Sequence, residues 1–125
     1  MNPVVHFEMA AKDKKRASKF YETAFGWQMQ HMGEEYGGYV MAMTTESTKN
    51  GPKRKGAING GLYESKKVEP PHLVVSVDDI KKAMERVKKA KGKVVGKVSD
   101  IPNVGKFVMV KDTEGNKVAM LQPAM

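Results

Sequence analysis

The sequence contains one strand–helix segment twice, and this repeat constrains the fold more than any other feature. Three pairs of residues are separated by the same 66 positions: His6 and His72, Asp13 and Asp79, Gly26 and Gly92. In each copy an extended apolar segment around the histidine precedes an amphipathic segment that begins near the aspartate and ends at the glycine. Equal spacing at three landmarks predicts two copies of one structural unit.

The first copy reads as one strand, one helix and three further strands. Residues 4–9 alternate between an apolar and a mixed face, which is typical of a strand. The following helix is predicted over residues 13–26, with an apolar stripe of Ala17, Phe20, Tyr21, Ala24 and Phe25. Further strands are predicted at 27–30, 39–44 and 57–63, with a polar hairpin loop at 45–56. Asn59-Gly60-Gly61 lies inside the last strand, where glycines indicate a bulge or a close backbone approach.

The second copy repeats the same order. A strand over 72–77 precedes a helix that begins at Asp78 or Asp79 and ends at Gly92. Its predicted buried stripe is Ile80, Ala83, Met84 and Val87. Strands follow at 93–98, 106–110 and 117–121, the last after a strong turn signal at 112–116. The sum is strand–helix–three strands, twice, within one domain of 125 residues: module 1 at about 1–65 and module 2 at about 66–125.

Composition excludes several classes of function. The chain has no cysteine, which excludes disulfides, thiolate catalysis and thiolate metal sites. No apolar run approaches the roughly 20 residues needed to span a bilayer, and the N-terminus does not resemble a signal peptide. We therefore expect no membrane partner and a cytoplasmic location.

The net charge of +8 arises from 22 basic and 14 acidic residues, and the basic residues concentrate on the two predicted helices. Solvated helix faces explain this arrangement, and a positive field that favours anionic small molecules is the alternative. Nucleic-acid binding is not expected, because no aromatic residues interleave with the basic ones.

The repeated order and several motifs resemble the vicinal oxygen chelate superfamily, which includes glyoxalase I, extradiol dioxygenases and bleomycin-binding proteins. The motifs are His6…Asp13…Phe25-Gly26-Trp27, Ile58-Asn59-Gly60-Gly61-Leu62, His72-Leu73-Val74-Val75 and Ile101-Pro102-Asn103-Val104-Gly105. They are most similar to those of small, uncharacterised glyoxalase-like proteins. The resemblance implies an α+β fold in which two βαβββ modules form a cupped, mostly antiparallel eight-stranded sheet with the helices on its outer side. It also makes a homodimer the expected assembly.

The resemblance implies a metal site that has lost part of its ligands. His6 and His72 fall where the superfamily places ligands on the first and fifth strands. The two positions that carry glutamates in glyoxalase I correspond to about Gly60 and to Ala119, so authentic glyoxalase I activity is not expected. Glu8 shares a strand face with His6, so the predicted metal set is His6, Glu8 and His72. Such a set suits Zn, Fe, Ni or Mn, and a hydrogen-bonded polar patch without any metal is the alternative.

A ligand pocket is expected around these residues. We predict that it is lined by Trp27, Tyr39, Met41, Asn59, Gly60, Phe107, Met109 and Ala119. No residue is assigned a catalytic role, and no organic cofactor is expected. Two functions remain open: a metal-dependent lyase, isomerase or dioxygenase acting on a small oxygenated substrate, and a metal-free protein that binds a small, anionic organic ligand.

Overall fold

The computed structural model describes residues 1–124, which contain two α-helices, a short 3-10 helix and ten strands. The helices are α1 (Lys14–Phe25) and α2 (Ile80–Lys89), and the 3-10 helix spans Glu34–Tyr36. The strands are β1 (Val4–Ala11), β2 (Gln28–His31), β3 (Val40–Met43), β4 (Ser47–Thr48), β5 (Gly51–Pro52), β6 (Asn59–Glu64), β7 (His72–Ser76), β8 (Lys93–Ile101), β9 (Gly105–Lys111) and β10 (Lys117–Pro123). This order confirms the predicted α+β class and both βαβββ modules. The short strands β4 and β5 form a hairpin inside the predicted loop.

The first compact unit comprises His6–Pro71. Its strands lie in the order β2-β3-β6-β1, with β1 parallel to β6 and the other pairs antiparallel. Helix α1 covers one face of this sheet, where its Ala17 and Tyr21 pack against the buried residues Ala11, Val40 and Leu62. The opposite face is here called the helix-free face of the first unit. It carries the strand residues that alternate in sequence with the core residues.

The second compact unit comprises Met1–Val5 and the chain from His72 onward. Its strands lie in the order β7-β10-β9-β8, with β7 parallel to β10 and the other pairs antiparallel. Both units therefore pair their first strand in parallel with their last. Helix α2 buries its predicted stripe against this sheet, since the stripe joins the core of Val77, Val108, Val110 and Met120.

The helix ends show where the two copies differ. Asp13 and Asp79 accept hydrogen bonds from the backbone N–H groups of Arg16 and Lys82, as expected of N-caps. Gly26 is left-handed at φ 71° and ends α1 as predicted. The prediction that Gly92 ends α2 was wrong, because the left-handed residue there is Lys91 at φ 73°. Gly92 instead permits a close approach, since a Cβ on it would lie 2.7 Å from the Lys111 carbonyl oxygen.

The apolar stripe of α1 is only partly buried. Phe20 and Phe25 are 55% and 62% exposed, although they belong to the predicted stripe. The side of the helix that faces the sheet is centred on Ala17, Ser18 and Tyr21, so Phe20 lies at its edge and Phe25 at the helix end. The two exposed rings contact each other edge to face, with centroids 6.0 Å apart.

Ser18 of α1 has a buried hydroxyl group. Its side chain is 3% exposed, and its Oγ has no hydrogen-bond partner among residues 1–124. A buried hydroxyl without a partner costs about 1 to 3 kcal/mol, and alanine is the better helix former. We expect Ser18→Ala to raise the free energy of unfolding, measured in urea, by about 1 kcal/mol. Thr23→Ala on the exposed side of α1 is the control and should gain only the smaller helix-propensity term; equal gains would contradict the prediction.

No helix within residues 1–124 is both long enough and apolar enough to cross a membrane.

Candidate functional site

The helix-free face of the first unit brings polar side chains from three strands together. Strand β1 contributes His6 and Glu8, which lie two residues apart and therefore point to the same side. The parallel pairing of β1 with β6 places Asn59 beside His6 and Gly61 beside Glu8. Strand β3 adds Met41, which is the partner of Gly61 on its other side. This register places His6, Glu8, Met41 and Asn59 on one face of the sheet.

Tyr39 connects His6 and Glu8. Its hydroxyl lies 2.8 Å from Nε2 of His6, and the two rings are nearly parallel at 25° with centroids 6.4 Å apart. The carboxylate of Glu8 acts on the same hydroxyl through its negative charge and through hydrogen bonding, and both raise the pKa of Tyr39. One phenol therefore joins an imidazole and a carboxylate that come from the same strand.

The phenol of Tyr39 keeps its proton. Burial raises the pKa of Tyr39 strongly, and the negative charge of Glu8 and the hydrogen bond to it act in the same direction. Since the bond to Glu8 favours the protonated phenol, the hydroxyl donates to that carboxylate. When that oxygen accepts from the N–H of His6, the ring carries its proton on Nε2. In that tautomer the hydrogen bonds run from His6 through Tyr39 to Glu8.

Two adjacent glycines of β6 make room for this arrangement. A Cβ on Gly61 would overlap the phenol of Tyr39, and a Cβ on Gly60 would overlap the ring of Phe7. The two glycines face opposite sides of the sheet, and each makes room for an aromatic side chain where the sequence had indicated a bulge or a close backbone approach. Gly61, rather than the predicted Gly60, therefore lies beside the His6–Tyr39 pair. Gly60 lies on the side covered by α1.

A second tyrosine and carboxylate extend the acidic character of this face. The hydroxyl of Tyr63 donates to the carboxylate of Glu69. Burial is the largest cause of the raised pKa of Tyr63. The hydrogen bond to Glu69 and the negative charges of Glu69 and Glu8 raise that pKa further. The sequence prediction missed Tyr63 and Gly61, although the two-residue period from Asn59 along β6 places both on the His6 side.

Asn59 has a structural role in this unit. It is 8% exposed, and its Oδ1 accepts from the backbone N–H of Thr44 at 2.9 Å. Its Nδ2 donates to Oγ of Ser47 at 2.8 Å. The amide thus ties β6 to the segment that follows β3, beside the predicted ligand position.

Trp27 lies apart from the histidine. Its ring stacks on Tyr21 of α1, with centroids 4.8 Å apart and planes at 8°, and it contacts Phe7 at 5.8 Å. These contacts place Trp27 on the side of the sheet covered by α1. Among the predicted pocket residues of the first unit, Tyr39, Met41 and Asn59 are therefore near His6, whereas Trp27 and Gly60 are not.

The remaining predicted residues belong to the second unit. His72 begins β7 and is 6% exposed. Ala119 of β10 pairs with Met109 of β9, and Phe107 lies two residues before Met109 on the same face. This is the face opposite α2, because the intervening Val108 and Val110 belong to the core beneath that helix.

The side chains near Tyr39 fit a hydrogen-bonded phenol better than a metal ion. Nε2 of His6 lies within hydrogen-bond distance of the Tyr39 hydroxyl, and the carboxylate of Glu8 interacts with the same neutral group, so both potential ligands are already engaged. Within the described residues 1–124, no three histidine, aspartate or glutamate side chains form a group that could hold a metal ion. The set of His6, Glu8 and His72 with a divalent metal stays a prediction.

Comparisons with known proteins identify the family. A glyoxylase-like domain-containing protein of Didymella fabae is 34% identical over 116 residues, which cover 90% of this chain and 88% of that protein. The crystal structure of methylmalonyl-CoA epimerase from Mycobacterium tuberculosis is 15% identical with a TM-score of 0.70, over 98% of this chain and 88% of that one. A glyoxalase/bleomycin resistance protein/dioxygenase superfamily member from Vibrio splendidus 12B01 is also 15% identical, with a TM-score of 0.63, over 98% and 99% of the two chains. At these identities the solved structures show a shared fold. The profile of the Glyoxalase/Bleomycin resistance protein/Dioxygenase superfamily matches residues 4–120, and the chain belongs to that superfamily.

Proposed function

We propose that the chain binds a small oxygenated organic substrate beside His6 and moves a proton on it, as an isomerase or lyase does, without a resident metal. The observation that carries this proposal is the Tyr39 hydroxyl, which lies 2.8 Å from Nε2 of His6 and is also influenced by the carboxylate of Glu8. A histidine positioned by an ordered hydrogen-bond partner is suited to general acid–base catalysis.

The direction of the hydrogen bonds assigns the roles. We assign the proton of neutral His6 to Nε2, beside Tyr39, which makes Nδ1 the basic nitrogen. When Nδ1 removes a proton from a carbon next to a carbonyl group, the imidazole becomes positively charged. The carboxylate of Glu8 stabilises that charge through the phenol of Tyr39, and His6 can then return the proton to another atom of the substrate. His6 is the proposed acid–base residue, and Tyr39 and Glu8 are positioning residues.

The carboxylates near Tyr39 and Tyr63 influence which substrate charge the site accepts. The negative charge of Glu8 acts on both Tyr39 and Tyr63, and Glu69 accepts a hydrogen bond from Tyr63. Two negative charges beside the site favour a substrate whose reacting end is uncharged. The net charge predicted a preference for an anionic ligand, and this stays a prediction for sites elsewhere in the molecule. Because methylmalonyl-CoA epimerases share the fold, an acyl-CoA thioester belongs among the substrates to be tested.

Exchange of a carbon-bound proton with solvent tests the proposal directly, because the readout does not require an identified product. The protein is incubated in D₂O with 2-oxo acids, α-hydroxyketones and malonyl-type CoA thioesters, and loss of the C–H signal is followed by NMR. We expect accelerated exchange for at least one class. His6→Gln should lower that rate by about 10² to 10⁴-fold, and Tyr39→Phe by a smaller factor, since it removes the link to Glu8 but leaves the imidazole. Tyr36→Phe, on the 3-10 helix, is the matched control and should exchange normally.

Three outcomes would contradict the proposal. Exchange in no substrate class, together with a ligand-dependent rise in melting temperature, would indicate a binding protein instead of an enzyme. Exchange that survives His6→Gln would place the base elsewhere. Stoichiometric divalent metal in protein purified without chelator would contradict the metal-free site and favour the ligand set predicted from the sequence.

A further inference from the structure

A groove of about 440 Å³ lies between α2 and the sheet of the second unit. Its lining residues include Val75, Ala83, Val87 and Met120, with Arg86 and Lys111 among the charged ones. Ala83 and Met120 are buried, whereas Val75 and Val87 are half-buried, so apolar side chains extend from the core to the opening. The groove lies on the helix-covered side of its sheet, and none of the residues of the proposed acid–base site lines it. Its volume is within the range of small-molecule sites.

The first unit fills the corresponding space with aromatic rings. There, Tyr21 of α1 stacks on Trp27 between the helix and the sheet. The 66-residue offset that relates Asp13 to Asp79, both N-caps, places Val87 at the Tyr21 position and Lys93 at the Trp27 position. A valine thus replaces a tyrosine and a lysine replaces the tryptophan. The second copy has lost the rings that close this space in the first copy.

Within residues 1–124, the groove is lined by two basic residues, Arg86 and Lys111, and one acidic residue, Asp112. The same offset places Arg86 at the position of Phe20, and Arg86 is exposed where it lines the groove. Helix α2 has five basic residues and one acidic residue within its ten positions. The carboxylate of Asp112 also lines the groove, but it accepts hydrogen bonds from the backbone N–H groups of Glu114 and Asn116 and from the Asn116 side chain. These hydrogen bonds hold the carboxylate of Asp112 in its own turn, and the two basic residues of the lining outnumber it.

We propose that this groove binds a medium-chain carboxylate, an anionic amphiphile. The alkyl chain lies along Val75, Ala83, Val87 and Met120, and the carboxylate group pairs with the guanidinium of Arg86. An exposed arginine in the lining of an apolar groove suits this ligand, because a guanidinium can form two parallel hydrogen bonds with a carboxylate. The site is separate from the proton-transfer site and does not depend on the function proposed there.

A series of straight-chain carboxylates from hexanoate to decanoate tests the proposal on the full chain, at concentrations below their micelle thresholds. Calorimetry is expected to show saturable binding that tightens about fourfold per added methylene, because each methylene leaves water. Octan-1-ol, which has the chain without the charge, should bind at least tenfold more weakly than octanoate. Carbon-13 labelling of the methionine methyl groups locates the site: the Met120 signal, assigned with Met120→Leu, should shift while that of Met41 does not.

Two variants test separately how the alkyl chain and the carboxylate of the ligand contribute to binding. Arg86→Glu on the helix surface should weaken octanoate binding by tenfold or more, and Lys82→Glu, the same charge change at an exposed position of α2 that does not line the groove, should not. Val87→Tyr restores the ring of the first unit and should abolish binding. Because Val87→Tyr also alters the packing of α2, Arg86→Glu is the test that does not depend on the folding of Val87→Tyr. Equal affinity for octanol and octanoate, an unchanged affinity of Arg86→Glu, a shift at Met41 in place of Met120, or self-association that hides Arg86 would each overturn the proposal.

Discussion

Replacing Leu62 with alanine is expected to lower the free energy of unfolding by about 3 kcal/mol, a large share of the 5 to 15 kcal/mol typical of a domain. Leu62 is 1% exposed and lies in β6, between β3 and β1. It contributes to the core that Ala11 and Val40 form beneath α1. Removing its isobutyl group loses the transfer free energy of those carbons and leaves a cavity in a sheet whose strands are hydrogen-bonded on both sides. Urea unfolding followed by circular dichroism measures the change.

Leu73→Ala provides the matched control. The chemistry of this substitution is the same, but Leu73 of β7 is 49% exposed, so little apolar surface returns to water. We expect a loss below about 1 kcal/mol. If the two variants lost equal stability, the core of the first unit would not be centred on Leu62, and the assignment of its two sheet faces would be wrong.

Local patterns in the sequence predicted the order of elements well. An N-cap needs only an acceptor three residues before the backbone N–H that it satisfies, so Asp13 and Asp79 were readable without tertiary information. The apolar stripe of α2 was equally local, and Ile80 and Ala83 are buried as predicted. Gly92 shows the limit of this reasoning. Its role depends on the carbonyl of Lys111, which is distant in the sequence and enters only through the pairing of β8 with β9.

The candidate site was predictable only to the extent that it follows strand alternation. His6 and Glu8 were placed on one face because they lie two residues apart on one strand. Their connection through Tyr39 could not be predicted, because it depends on how β3 aligns with β6 and β6 with β1, and a shift of one residue would turn the phenol to the other face. The face on which Trp27 lies could not be predicted for a related reason. An aromatic residue at the start of a strand is compatible with either face, and its stack on Tyr21 places it on the side covered by α1.

Gly61→Ala is expected to remove both stability and the proposed proton transfer. A Cβ on Gly61 would overlap the phenol of Tyr39, so the ring must move away from the strand. Overpacking of this kind costs about 1 to 3 kcal/mol, and the displaced hydroxyl can no longer join His6 to Glu8. We therefore expect a lower urea midpoint, together with an exchange rate in the folded protein as low as that of Tyr39→Phe.

Gly60→Ala separates the two effects, because it makes the same substitution one residue earlier on the opposite face. Its Cβ would overlap Phe7, which contacts Trp27 on the side covered by α1, so this variant should lose comparable stability. The His6–Tyr39 pair lies on the other side of the strand, and its exchange rate per folded molecule should remain that of the natural sequence. Gly33→Ala controls for the substitution itself, since the nearest atom to its added Cβ is 3.7 Å away. If Gly60→Ala and Gly61→Ala lowered the exchange rate equally, the effect would come from general disorder of β6, and Tyr39 would lose its assigned role in orienting His6.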